Sequence, residues 1–496
     1  MLKKTLAMLL AALLLASAVT SCGGGEGVET TSDAGADTAS AETEPTETEI
    51  TDDLPDGLKF SGESYTILSR EDLQWENEMC TDELTGDIVN DAIYNREITV
   101  EERLDVDISA YKTPGIWGNE NAFFDKIRTA VRAGDSSYQL VAGYAYYVTA
   151  LAVEGIFTNL LDVQYLNFDK PWWNSSLRDE LTLYDQLYYA GGDLSYTMIC
   201  QMFGIFMNKD LAEMYGVEDL YSVVHEGRWT YDYLYSLAAG ISKDVDGNGT
   251  MDGSDEYGLV IPRGNACDTF FAAYDQPLTA RDADGNVVLR MGDAKAIDVA
   301  DRMMSFFDKS NPGVFAEEEK SQEDKPWYQP FREGRAVLAV ATLQYAVEEL
   351  REVDFAYGVL PMAKYDEAQA EYHTLSQDAY SLFCVPLNAG NLDMIGAVTE
   401  AMAYESWKTV IPAYFEVAMK TKYSRDESSS QMMDLIREGA SYNFGFVNSS
   451  SCSNMMHIMR TVAAGNQGYA TVFAANEKSY QTALDKLVQA YKDMQP

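Results

Sequence analysis

The residues best arranged for a defined chemistry lie in one acidic loop, Asp244-Val245-Asp246-Gly247-Asn248-Gly249-Thr250-Met251-Asp252-Gly253-Ser254-Asp255. Oxygen-bearing side chains stand at loop positions 1, 3 and 5 (Asp244, Asp246, Asn248), and Gly249 at position 6 permits a sharp turn. Thr250 offers a carbonyl at position 7, Met251 is apolar at position 8, Asp252 stands at position 9 and Asp255 at position 12. A hard divalent cation needs six to eight oxygens at about 2.3–2.6 Å, and this spacing supplies them from one short segment. The expectation is a structural Ca²⁺ site on Asp244, Asp246, Asn248, Thr250, Asp252 and Asp255. Two departures set it apart from a sensor loop. Position 12 is Asp255, not the longer bidentate Glu, although Glu256 follows; and residues 257–261 (Tyr-Gly-Leu-Val-Ile) read as a strand where a second helix would stand. The alternative is an Asp/Asn/Gly turn that binds nothing.

The second group is aromatic. Tyr144, Tyr146 and Tyr147 follow a short apolar stretch at residues 138–142; Arg70 and Trp75 follow another at 64–69, and Gln344 and Tyr345 a third at 336–341. In open parallel sheets ligands bind beyond the carboxyl ends of strands. Flat amphipathic rings there can stack on the apolar face of a sugar while Asp, Asn, Gln and Arg bond its hydroxyls. For most of these rings, taken singly, core packing is the competing reading.

Catalytic signatures do not accompany them. The chain has no G-x-S-x-G, H-E-x-x-H, G-x-x-x-x-G-K-[ST] or G-x-G-x-x-G motif, and His225, His373 and His457 are scattered. Carboxylates are too numerous for a glycosidase pair to be picked out, because that pair is defined by its separation in space.

The elements that must carry these groups alternate between strand and helix. Residues 64–69 alternate and are β-branched; 87–104 and 123–133 carry apolar side chains at helical spacing; 106–108 and 138–142 return to strand. That order argues for βαβ units and a largely parallel sheet. It restarts with an apolar run at 199–208 and a helix at 231–241, and residues 397–494 are nearly all amphipathic helix. The expected object is an α/β protein of two lobes, with no internal repeat.

The 496 residues carry 36 Lys plus Arg against 79 Asp plus Glu, a net charge of −43. At 46% hydrophobic the chain can bury real cores, so the acidity does not mean disorder. It disfavours nucleic acid and anionic lipid as partners, and favours neutral or cationic ligands over anionic ones. Lys3 and Lys4 precede an apolar run at residues 6–19 that is short for a membrane span and typical of a secretory leader. It ends in Val19-Thr20-Ser21-Cys22 followed by three glycines, which resembles the lipobox of bacterial lipoproteins and makes Cys22 the expected lipidated residue. Residues 22–57 hold eleven acids and no Lys, Arg or aromatic residue, the composition of a solvated tether spanning on the order of 35 Å or more. Since eleven is a small part of 79, the folded body is itself strongly anionic. Cys80, Cys200, Cys267, Cys384 and Cys452 are widely spaced and read as buried small hydrophobes, with room for one or two disulfides of undeducible pairing.

These features come in the order of a known family. Tyr138-Gln139-Leu140-Val141, Leu151-Ala152-Val153-Glu154-Gly155 through Asn159-Leu160, Phe206-Met207-Asn208-Lys209-Asp210-Leu211, Gly227-Arg228-Trp229-Thr230-Tyr231-Asp232, and Phe331-Arg332-Glu333-Gly334-Arg335-Ala336 with Tyr357-Gly358-Val359-Leu360-Pro361 follow one another. Together they resemble the extracellular solute-binding lipoproteins of bacterial ABC importers, of the large sugar-binding kind related to maltose-binding protein. The usual Pro before the Trp229 segment is missing, and Gln139 replaces an Asp. The resemblance implies a two-lobed, type II periplasmic-binding-protein-like fold with a hinge and an interlobe ligand cleft. Lobe 1 would comprise 58–196 plus 379–425 and lobe 2 197–378 plus 426–496, with crossings near 195–202, 374–386 and just after Tyr423. By analogy the cleft would be lined by Arg70, Trp75, Tyr144, Tyr146, Phe270, Tyr274, Gln344, Tyr345 and Asp378. It further implies a monomer at the cell surface, lipid-anchored to the outer face of the cytoplasmic membrane, that hands a sugar or oligosaccharide to permease subunits and breaks no bond. The rival readings are a surface-anchored glycan-degrading enzyme and a calcium-stabilised adhesion module.

Overall fold

The alternating segment at 64–69 forms β1 (Glu63–Arg70), whose second half is wholly buried. The structure is a computed structural model and describes residues 50–72, 75–116, 118–308, 310–317, 326–419, 427–465 and 467–495. The leader, Cys22, the tether up to residue 49 and the crossing expected after Tyr423 lie outside the described residues.

After β1 comes helix α1 (Ile88–Leu104), started by the Asp87 carboxylate, which accepts from the N–H groups of Val89 and Asn90 at 3.0 Å each. Strand β2 (Val106–Thr113) and helix α2 (Glu120–Ala133) follow; α2 ends on Gly134 with φ of 65°, a left-handed turn that glycine adopts at little cost. Strand β3 (Leu140–Tyr144) starts two residues later than the pattern at 138–142 suggested. The reason is Gln139, whose side-chain oxygen accepts from Thr66 N at 2.8 Å just ahead of the strand pairing.

The chain then crosses to β4 (Phe203–Asn208), α3 (Tyr231–Gly240), β5 (Ser242–Lys243), β6 (Glu256–Val260), β7 (Thr279–Arg281), β8 (Val287–Leu289), α4 (Ala294–Phe306), β9 (Val314–Phe315), β10 (Ala336–Thr342) and β11 (Tyr357–Leu360). It returns to β12 (Ser381–Cys384) and ends in helices α5 (Leu392–Glu405), α6 (Ile411–Met419), α7 (Glu427–Glu438) and α8 (Tyr469–Asp493). The first sheet has the order β12-β3-β1-β2, parallel except for the returning β12. The second has the order β11-β4-β10-β6-β5, with β9 beside β6. It is mixed, not largely parallel as expected: β4 runs antiparallel to both β10 and β11, because it enters from the crossover and is flanked by strands laid down much later in the chain. Residues 51–496 form one compact unit with these sheets as its two halves.

The folded body also begins earlier than residue 58. Asp52 is 4% exposed and its carboxylate takes both terminal nitrogens of Arg103, at 2.5 and 2.8 Å, while Asp53 pairs with Lys170 at 2.6 Å. Leu54 is buried beside them, so acids assigned to the tether by composition are here ion-pair partners. All five cysteines from Cys80 to Cys452 are buried and free, with no disulfide among the described residues.

Helices α5 and α6 pack on α1, joined by a π-helical turn at Ser406–Val410, and α7 packs on β11. Within α5, Glu400 is fully buried and accepts from the indole N–H groups of Trp172 and Trp173 at 3.0 and 2.9 Å. Burial outweighs these bonds and pushes its carboxyl up to about 7. A carboxyl held above its ordinary value of 4.5 binds its proton more tightly in the folded state, so stability is lost as pH rises from about 4.5 through 7. Glu97, also pushed up to about 7 by burial, acts in the same window. Melting curves between pH 4.5 and 7.5 are therefore expected to fall with pH, and Glu400→Gln to make that slope shallower; an identical slope in the variant would refute the assignment.

Candidate functional site

The two sheets are connected by crossovers that run side by side. Phe203 N donates to Leu375 O at 3.0 Å and Gln377 N to Gln201 O at 2.8 Å, so residues 201–203 and 375–377 form a short antiparallel ribbon between the halves. An ion pair with both members at 0% exposure secures it to the first sheet. Arg70, the last residue of β1, lies 3.4 Å from Glu78 and donates to Ala379 O at 2.8 Å and Ser381 Oγ at 2.7 Å. Glu78 in turn accepts from Ser195 Oγ at 2.8 Å and Ser381 Oγ at 2.7 Å. The first crossover, through Ser195, and the start of β12, through Ser381, thus donate to one buried carboxylate.

Beside this ribbon, at the carboxyl ends of β1 and β10, lies a cavity of about 380 Å³. Trp75, Asn77, Asp87 and Ile93 line it from the β1 side; Gln344, Val347, Glu348 and Arg351 from beyond β10; Tyr196 and Cys200 from the crossover; and Tyr414 from α6. Tyr196 and Tyr414 stack at 5.2 Å and 18°. Gln344 accepts from Gln201 and donates to Glu348, which orients its amide at the rim. The cavity thus offers rings, amides, two carboxylates and a guanidinium from both halves. Burial raises the Cys200 thiol, so it behaves as a small apolar wall group.

Of the residues expected to line a cleft, Trp75 and Gln344 meet in this cavity. Arg70 belongs to the buried ion pair, and its guanidinium covers the rings of Trp75 and Tyr144 at 4.7 and 5.6 Å. Phe270 and Tyr274 are core: they pack on each other, on Phe306 and on Tyr231. Tyr345 is buried under β10 against Phe206, Tyr328 and Phe331. Tyr144, Tyr146 and Asp378 form a separate buried cluster at the end of β3. Tyr144 donates to Asp378 Oδ1 at 3.2 Å, and burial holds the Asp378 carboxyl above its usual range. Tyr146 donates to Asn454 at 2.5 Å and stacks on His457 at 5.3 Å, and burial lowers His457 to about 4. Tyr196, Tyr414 and Arg351 went unnoticed in the sequence. Tyr196 lies at the expected crossing, where it was available to be named; Tyr414, in a C-terminal helix, carries no such signal.

The acidic loop precedes β6. Carboxylate oxygens of Asp244, Asp246 and Asp255 lie within 4.8 Å of one another. Asp244 accepts from Gly247 N and Gly249 N at 2.6 and 2.8 Å, and both glycines have positive φ, 71° and 82°. Asp255 is fully buried and accepts from Val245 N and Asp252 N, both at 2.8 Å, which closes the loop. Asn248 accepts from Thr250 N, and Asp252 accepts from Ser254 N within its own turn.

No family model matches the chain, and no curated protein matches it in sequence. Its fold is shared with the two-lobed, type II substrate-binding proteins of ABC transporters. The GacH receptor of Streptomyces glaucescens, solved unliganded and with acarbose, is 13% identical with a TM-score of 0.54, over 86% of this chain and 99% of that one. The galacto-N-biose-/lacto-N-biose I-binding protein of a Bifidobacterium longum ABC transporter is 14% identical with a TM-score of 0.54, over 86% and 98%. An ABC substrate-binding protein of Listeria monocytogenes in complex with cycloalternan is 12% identical with a TM-score of 0.51, over 87% and 99%.

Arg70→Met would leave Glu78 buried and without its cation. The expected loss is about 3–5 kcal/mol of unfolding free energy, measured in urea. A loss below about 1 kcal/mol would show that the pair does not secure the ribbon.

Proposed function

We propose that this protein is the substrate-binding lipoprotein of an ABC importer, capturing a sugar or oligosaccharide outside the cell and delivering it to a membrane permease. The observation that carries this reading is the 380 Å³ cavity between the two sheets, with rings and hydrogen-bonding groups contributed by both halves of a sugar-receptor fold. Trp75 and the Tyr196–Tyr414 pair suit the apolar faces of sugar rings; Asn77, Gln344, Glu348 and Arg351 suit their hydroxyls. A ligand touching both halves favours the arrangement in which they approach, so binding and closure are one equilibrium. In this reading the sheets are the cores of two lobes, Cys22 carries the lipid, the acidic tether sets the working distance from the membrane, and the protein acts as a monomer without chemistry on its ligand. The anionic body favours neutral or cationic sugars.

We further propose that the 244–255 loop holds a structural Ca²⁺. Asp244, Asp246 and Asp255 would supply carboxylate oxygens, with Asn248, Thr250 and Asp252 in supporting positions. The donor set fits a hard cation: three converging carboxylates are otherwise mutually repulsive, and among the described residues the nearby Lys243 and Arg335 pair with Glu256 and Glu333 instead.

A thermal-shift panel of mono- and oligosaccharides tests the first reading. A true ligand at a hundred times its Kd stabilises by about 2.7 kcal/mol. Gln344→Ala, at the cavity rim, is expected to keep the melting temperature of the free protein and to weaken the shift. Shifts from peptides or polyamines with silence from sugars would overturn the carbohydrate assignment. For the loop, a chelator is expected to lower the melting temperature, Ca²⁺ to restore it, and Asp246→Asn to abolish both responses; insensitivity of the wild-type protein to both reagents rejects the site.

A further inference from the structure

The C-terminal helix α8 is anchored at its two ends on different halves of the molecule. Its first residue, Tyr469, donates to Met291 O at 2.8 Å and packs edge-on against Phe271, and Phe473 lies against Gly292. These contacts belong to the second half: the same segment reaches the second sheet through Phe270, Phe306 and Tyr231 of α3. Its last turn sits on the first half. Tyr491 is fully buried, its carbonyl accepts from Gln186 Nε2 at 3.0 Å, and its ring meets Tyr188 at 5.6 Å. That segment joins the first sheet, since Ala190 exchanges backbone bonds with Phe383 of β12 at 3.0 and 2.9 Å. A 25-residue helix is about 37 Å of rigid rod, here fixed to both halves.

Further ties lie along the same flank. Arg281 of β7 donates to Glu180 O and Thr182 O at 3.1 and 2.7 Å, Phe444 N donates to the Glu180 carboxylate at 2.6 Å, and Thr149 Oγ1 to Val447 O at 3.1 Å. The innermost tie is Tyr146 to Asn454, on the ring stack with His457. Inside it lies a void of about 20 Å³, lined by Tyr146, Ser376, Asp378, Tyr380 and Tyr442, which is room for a single water. A line of bonded residues runs along the ribbon from the open cavity to this closed end: Gln344 to Gln201 by side chains, Gln201 to Gln377 by backbone, then Gln377, Asp378 and Tyr144 by side chains.

We propose that the cleft is blind: the C-terminal layer shuts it at the Tyr146 end. A short saccharide, or the last one or two units of a longer chain, enters at the Trp75–Gln344 mouth. The proposal rests on the saccharide-receptor reading and narrows it to a class of substrate. The open cavity, about 380 Å³, lies near the lower end of the 300–1,000 Å³ typical of small-molecule sites. A third or fourth sugar unit has to leave by the mouth it entered, where it gains few contacts.

The test is calorimetry on the purified full chain with linear gluco-, manno- and xylo-oligosaccharides of one to six units, in α- and β-linked series, and with cyclic gluco-oligosaccharides. In the series that binds, Kd is expected to fall from one unit to two and to change less than twofold from three units to six, with no binding of the cyclic sugars. A gain beyond twofold between three and six units, or binding of a cyclic sugar, overturns the blind cleft and leaves the saccharide reading in place. Absence of heat with every sugar, from protein that unfolds cooperatively, overturns both.

Discussion

The structure depends most on a charge pair that water never reaches. Burying Arg70 and Glu78 together at 0% exposure costs several kcal/mol per ion in desolvation, and their mutual attraction at 3.4 Å does not by itself repay it. The remaining bonds offset part of it: Ala379 O and Ser381 Oγ on the arginine, Ser195 Oγ and Ser381 Oγ on the glutamate. Ser195 and Ala379 lie on the two crossovers, and Ser381 opens β12 where the second crossover ends. The desolvation cost is thus offset only while both crossovers stay docked on the end of β1. An apolar pair of the same volume would bury as well but would not select their position.

That selection places the site. With the ribbon fixed, Tyr196 and Cys200 fall on the same side of the short Thr197–Cys200 helix, four residues apart, and face the cavity, while Trp75 is held against the Arg70 guanidinium at 4.7 Å. Gln344 reaches in from the far half and meets Gln201 of the ribbon. A site built this way is sensitive to the relative position of the sheets, because its walls belong to both and its floor to neither. In the proposed receptor, a ligand bound in such an arrangement would report its presence through closure.

Much of this was legible in the chain, and the limits are physical. The βαβ start was readable because β1, α1 and α2 obey local rules: apolar period, an Asp cap, a glycine stop. The mixed second sheet was not, since β4 pairs with β10 and β11, more than a hundred residues away, and strand direction leaves no mark in a buried apolar run. Position at a strand end picked Trp75 and Gln344, which line the cavity, and equally Arg70 and Tyr345, which sit at equivalent ends and are buried in the core. Sequence gives the register of a side chain along the strand; which layer covers it is decided by elements far along the chain. Asp52 and Asp53 show the same limit, because composition cannot tell a solvated acid from one that Arg103 and Lys170 are waiting to pair.

The hinge and the C-terminal layer place opposing demands on the same molecule. On the receptor reading the two halves would turn about the ribbon, whereas a helix fixed at Met291 and at Gln186 resists any rotation that separates its ends. Both hold if the axis of motion runs close to the line of α8 and its neighbouring ties, so that the flank at Tyr146 stays shut while the mouth at Trp75 and Gln344 swings. Motion of this kind changes the mouth most and the closed end least. At the closed end Tyr146 bonds Asn454 and Tyr144 bonds Asp378; at the mouth Gln344 bonds Gln201 and Glu348 and Asn77 accepts from Lys112, while Arg351 lines the cavity. Open space is distributed the same way, about 380 Å³ at the mouth and about 20 Å³ at the Tyr146 end, as a one-sided hinge requires.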